Sequence, residues 1–142
     1  MRSSRVILTA LLIALALFNP ALAEKETGEK KRQEKEKIGV VKAAICKEVI
    51  DLCPVSENEV FPCDVKKLYC FTRVTGANRG EIIKHIWYYQ GTRLAVIILP
   101  IKSPDYRTYS SKKIEDYQKG EWRVEVMSLD GINLATLNFT IE

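Results

Sequence analysis

The sequence predicts an all-β domain, an antiparallel sandwich of roughly seven strands. Two observations carry that expectation. From Ile38 onward, short segments rich in β-branched and aromatic residues recur between turn signals. In several of them apolar and polar residues alternate with the period of two that a half-buried strand requires.

The segments are 39–50, 66–75, 82–90, 92–101, 106–111, 121–128 and 132–141. The plainest runs from Trp122 to Ser128, where Trp122, Val124 and Val126 alternate with Arg123 and Glu125. Asp130-Gly131 then reads as a hairpin turn, because glycine adopts positive φ without a Cβ clash. Leu137, Phe139 and Ile141 alternate on the returning strand, so Trp122, Val124, Val126, Phe139 and Ile141 are expected in the core. Leu94 to Leu99 is apolar on both faces, and a strand of that kind is expected in the middle of a fold. Segment 39–50 is ambiguous, since Ile38, Val41, Ile45, Val49 and Leu52 also fall at helical spacing. Its β-branched content favours a strand.

Ahead of this domain the chain carries an address. Arg2 and Arg5 precede an uncharged run from Val6 to Phe18, then Asn19-Pro20 and the small-residue triplet Ala21-Leu22-Ala23. This is the order of a secretory signal peptide, residues 1–23, with cleavage expected after Ala23. The run is shorter than the roughly 20 residues a spanning helix needs, so no stable membrane span is expected after cleavage. Residues 24–37 contain no large apolar side chain and form a charged linker. The domain proper is expected over 38–142, in the periplasm or secreted.

The formal charge of +4 falls by two once Arg2 and Arg5 are removed, so nothing points to nucleic acid. Four cysteines in an exported chain suggest two disulfides. Residue-number sums are equal for Cys46 with Cys70 and for Cys53 with Cys63, as for directly opposed residues of a hairpin, which favours that nested pairing. Their wide gaps do not resemble the close pairs of a zinc site. No metal or other cofactor is expected.

Candidate ligand-binding residues fall in two clusters. His85, Trp87 and Tyr89 would project from one face of a strand, as an aromatic platform or as a hydrogen-bonded core. Arg107, Tyr109, Ser110 and Lys112 lie in the most polar stretch of the domain and could contact an anionic ligand. Ser110-x-x-Lys113 has the outline of an acyl-enzyme motif, but the further elements of that chemistry are absent. One histidine and scattered acids assemble no nucleophile, base and orienter, so no catalytic residues are named.

His85-x-Trp87, Arg107-x-x-Ser110-Ser111-Lys112, Gly120-x-Trp122-x-Val124-x-Val126, Asp130-Gly131 and Phe139-x-Ile141 together resemble an uncharacterised bacterial family, domain of unknown function 2914, over about residues 40 to 142. The resemblance implies an exported or membrane-attached domain with an Ig-like β-sandwich fold, and supplies no activity. The expected function is thus a non-catalytic exported module that binds an envelope protein or glycan. The alternatives are a purely structural domain and a small hydrolase or metal-binding protein.

Overall fold

Nine strands make up the domain: β1 (Gly39–Ile50), β2 (Cys53–Glu57), β3 (Val60–Phe61), β4 (Lys67–Thr75), β5 (Ile82–Tyr89), β6 (Thr92–Pro100), β7 (Asp105–Lys113), β8 (Gly120–Ser128) and β9 (Asn133–Ile141). The computed structural model describes residues 37–142; the expected signal peptide and all but the end of the charged linker lie outside the described residues. Among the described residues there is no helix, and so none long and apolar enough to cross a membrane.

The strands form two sheets, one in the order β2-β1-β4-β7 and the other β3-β9-β8-β5-β6. All pairings are antiparallel except β3 with β9. The seven predicted segments are all strands, and the ambiguous 39–50 is one of them. Two strands more than expected lie in the stretch around Pro54 and Pro62. β2 tolerates Pro54 because it is an edge strand, where a missing N–H breaks no inner ladder.

Alternation places Trp122, Val124 and Val126 of β8 inward, opposite Phe139, Leu137 and Ala135 of β9. The five expected core residues are all buried. Trp122 stacks on Phe139 with ring centroids 5.8 Å apart, and its Nε1 donates to the Gln118 carbonyl at 2.9 Å. Phe61 and Trp87 meet the same phenyl ring edge-on. The β8–β9 turn is built as the sequence implies: Gly131 has φ +83° and its N–H donates to the Ser128 carbonyl at 3.1 Å.

Two expectations are corrected. Leu94 to Leu99 lies in β6, which is the edge of its sheet and not its middle. The strand is apolar on both faces, but only Ala95, Ile97 and Leu99 pack toward the core. The second correction concerns the cysteines. All four thiols are free. The β1–β4 register pairs Ile45 with Cys70 and Cys46 with Tyr69, one step away from the register that equal sums imply. A one-residue slip puts side chains on opposite faces of a sheet. Cys70 therefore enters the core between the sheets, while Cys46 points to the outer face.

That outer face is not open to water. Phe71 and Ala44 share it with Cys46, and all three are buried. Arg107, on β7 at the far edge of the sheet from β2, reaches the Leu52 carbonyl at 3.5 Å and Cys53 Sγ at 3.7 Å. The tip of the β1–β2 hairpin therefore folds across the face and covers it. The turn that permits this has both central residues, Asp51 and Leu52, at positive φ. Cys53 sits exposed on that tip, whereas Cys63 packs half-buried against the inner core, so this second pair is also held apart.

Candidate functional site

The strand β5 carries Ile83, His85 and Trp87 on one face, as the alternation predicts, and that face is the interior. Both His85 and Trp87 are fully buried, so neither serves as a surface platform. Their polar atoms are matched from the opposite sheet. His85 Nδ1 lies 2.7 Å from Ser110 Oγ on β7, and His85 Nε2 lies 2.8 Å from Thr72 Oγ1 on β4. Trp87 Nε1 donates to Ser110 Oγ at 3.1 Å. One assignment uses these donors in sequence: the indole N–H donates to Ser110, the Ser110 hydroxyl donates to Nδ1, and Nε2–H donates to Thr72. It requires a neutral imidazole. Burial supplies one, pushing the His85 pKa down to about 4.

A serine hydroxyl within 2.7 Å of a histidine is also the geometry of an activated nucleophile. Here Ser110 is 4% exposed and His85 0%, and the second imidazole nitrogen meets a threonine hydroxyl in place of a carboxylate. The group is a polar clasp between sheets, with every partner internal. Lys113, the other end of the Ser-x-x-Lys outline, is exposed and ion-paired with Glu115 at 3.1 Å.

The remaining candidates do not converge. Tyr89 is half-buried at the end of β5, where its hydroxyl donates to the Lys119 carbonyl at 2.7 Å and its ring meets Trp122. Arg107 and Tyr109 lie on the outer face of the other sheet, with Tyr109 edge-on to Tyr69. Lys112 Nζ donates to the Lys113 carbonyl. Thus the structure joins His85, Trp87 and Ser110 inside the sandwich, keeps Arg107 and Tyr109 as neighbours on the outer face of the other sheet, and places Tyr89 and Lys112 apart from both groups. Thr72, which completes the clasp, was missed because a lone threonine in an apolar strand carries no signal of its own.

Among the described residues no group of three or more His, Cys, Asp or Glu side chains is placed to hold a metal ion. A cleft of about 660 Å³ opens between β1 and β9, with Ala43, Ala44, Ala135, Glu57 and Glu59 among its lining residues. None of the candidate residues borders it.

The surface feature that sequence reasoning misplaced is β6. Among the described residues it pairs with β5 alone. Ile101 N–H donates to the Glu81 carbonyl and the Ile101 carbonyl accepts from Gly80, so odd-numbered positions from Ile101 back to Ala95 direct their backbone toward β5, up to the register shift at Leu94. By alternation Val96 and Ile98 direct theirs to the free edge. The same residues are exposed on the outer face: Leu94 39%, Val96 42% and Ile98 62%. Further across that face, Arg123 stacks over Tyr88 at 4.2 Å and pairs with Glu125. The aliphatic side chains of β6, with Ile86 of β5 opposite Val96, thus give way to charged residues on β8.

These features define a two-sheet β-sandwich with a polar clasp across its core and an uncovered aliphatic edge. Residues 81–141 match the model of a family described as protein of unknown function (DUF2914). The match takes in β5 to β9, with His85, Trp87, Ser110 and Trp122, but not β1 to β4, so it is narrower than the resemblance read over 40 to 142. No curated protein matches the chain in sequence. A crystal structure of an endonuclease/exonuclease/phosphatase from Beutenbergia cavernae DSM 12333 is similar over 72% of this chain at 11% identity, with a TM-score of 0.31. The chain spans 35% of that protein's length, and a likeness of this size carries no argument.

Proposed function

We propose that this chain is an exported, non-catalytic β-sandwich module that binds another polypeptide through the free edge and outer face of β6. The observation that carries the reading is the exposure of Leu94, Val96 and Ile98 on a strand with one unpaired edge. Edge strands of soluble domains are ordinarily guarded by charge, proline, a bulge or a covering segment, because open N–H and C=O groups recruit other strands. In β6 such guards sit only at the ends, Arg93 and a register shift at Leu94 at one and Pro100 at the other, which leaves Ala95 to Leu99 without one. Strand addition matches backbone groups that a glycan cannot match in series, and it gives aliphatic side chains a partner surface. The absence of an aromatic platform at His85 and Trp87 weighs the same way.

A photo-crosslinking amino acid at position 98, tested in cells that export the chain, separates the readings. A polypeptide adduct is expected at position 98 and none at position 117, where Tyr117 is exposed elsewhere on the domain. No adduct at position 98 overturns the proposal. The intact mass of the recovered protein is expected to begin at Glu24, and retention of Met1 overturns the expected cleavage.

A further inference from the structure

Beyond Cys46 the first strand leaves its neighbour. Continued in register, Lys47 would lie opposite Leu68 and Glu48 opposite Lys67, yet those two residues of β4 pair with β7 alone. Glu48, Val49 and Ile50 pair instead with β2, which pairs with nothing but β1. The β1–β2 hairpin is therefore an arm attached to its sheet at one end. Its root is well tied. Asn58 N–H donates to the Ile45 carbonyl at 3.1 Å, and Lys42 pairs with Glu57 at 3.1 Å. Ser56, beside that root, has φ +57°, which breaks the extended path of β2 where the arm turns away.

The tip is held differently. Among the described residues, the hydrogen bonds from 47–57 to β4 or β7 come from Arg107 alone, at 3.5 Å to the Leu52 carbonyl and 3.7 Å to Cys53 Sγ. Ile50 and Leu52, the large apolar side chains of the tip, are exposed, so little apolar burial holds it down. A segment tied at one end and lightly held at the other opens at a lower cost than the whole fold. We infer that the β1–β2 hairpin is a flap, hinged at Cys46 and Glu57 and latched by Arg107, that opens while the two sheets stay packed. Opening uncovers Ala44, Cys46 and Phe71, and so presents an apolar face flanked by Tyr69 and Tyr109 that the closed flap withholds. Leu68, Cys70, Thr72 and Val74 lie on the other side of β4, against the second sheet, and stay covered throughout. The face belongs to the sheet that lacks β6, so it is a second surface and does not depend on the reading of β6.

Two buried thiols on opposite faces of one sheet supply the test. Cys46 lies under the flap and Cys70 in the core, and both are fully buried. The chain is alkylated at low urea concentrations, and each cysteine is followed by peptide mass spectrometry. Each rate is divided by that of the same thiol in the unfolded chain. So corrected, Cys46 is expected to react at least about tenfold faster than Cys70, with a weak dependence on urea, because opening a flap exposes less surface than unfolding. Arg107→Ala is expected to speed Cys46 by roughly tenfold, the worth of one hydrogen bond from a charged donor, and to leave Cys70 unchanged. Equal corrected rates with equal urea dependence overturn the flap, since Cys46 would then be reached only by global unfolding. An Arg107→Ala variant that leaves Cys46 unchanged, or that speeds Cys46 and Cys70 alike, overturns the latch.

Discussion

His85 couples the stability of the sandwich to pH, and the size of the coupling follows from its burial. In the folded chain its pKa is depressed to about 4, against 6.5 for an ordinary histidine. Between those values the unfolded chain binds a proton that the folded chain refuses, so unfolding becomes easier as pH falls. Stability from this group is complete above about pH 6.5 and drains away down to about pH 4. At 1.36 kcal/mol for each unit, the whole difference is about 3 kcal/mol, of which about 2.5 kcal/mol is lost between pH 7.5 and pH 4.5. Urea denaturation of the wild type and of His85→Gln at both values measures it. Glutamine removes the titration and keeps a donor and an acceptor between Ser110 and Thr72. The variant is expected to start less stable and to show a nearly flat profile. The depressed carboxyls do not blur the result. Hydrogen bonds from Arg73 and Lys66 lower the pKa values of Asp105 and Asp116, so their contributions are lost at still lower pH. Equal pH slopes for the wild type and His85→Gln would refute a buried neutral imidazole.

Two further outcomes test the fold. Trp122→Ala removes a side chain 2% exposed and stacked on Phe139, and is expected to cost about 3 to 5 kcal/mol in the same urea assay. Trp122→Phe, which loses only the bond to Gln118 and part of the stack, is expected to cost less; equal costs would contradict the packing described. Alkylation of the native protein is expected to label Cys53 first and Cys70 only on unfolding, since burial pushes the Cys70 thiol up to about 12. A Cys46–Cys70 linkage in unreduced peptide maps would contradict the observed register.

The sequence by itself determined seven of the nine strands of the described residues, all but β2 and β3, and which of their residues share a face. Trp122, Val124 and Val126 alternate with Arg123 and Glu125, and only a strand with one dry face satisfies that pattern. Gly131 likewise announced its turn, because positive φ is a local property. What period two cannot specify is the neighbour that covers each face. His85 and Trp87 were readable as lying together, but not as facing Ser110 and Thr72 across the core, because those partners arrive from distant strands. Leu94 to Leu99 looks like a central strand because apolar residues on both faces are compatible with burial on both. Its place at the edge is decided by strand order, which depends on contacts between segments far apart in the chain. The cysteines show the same division. Their spacing is compatible with a hairpin, but β1 continues past Cys46 into a separate hairpin with β2, and β4 pairs one step out of the register that equal spacing implies. A single residue of slip turns a side chain from one face of a sheet to the other, and only the packing of both faces decides which register is kept.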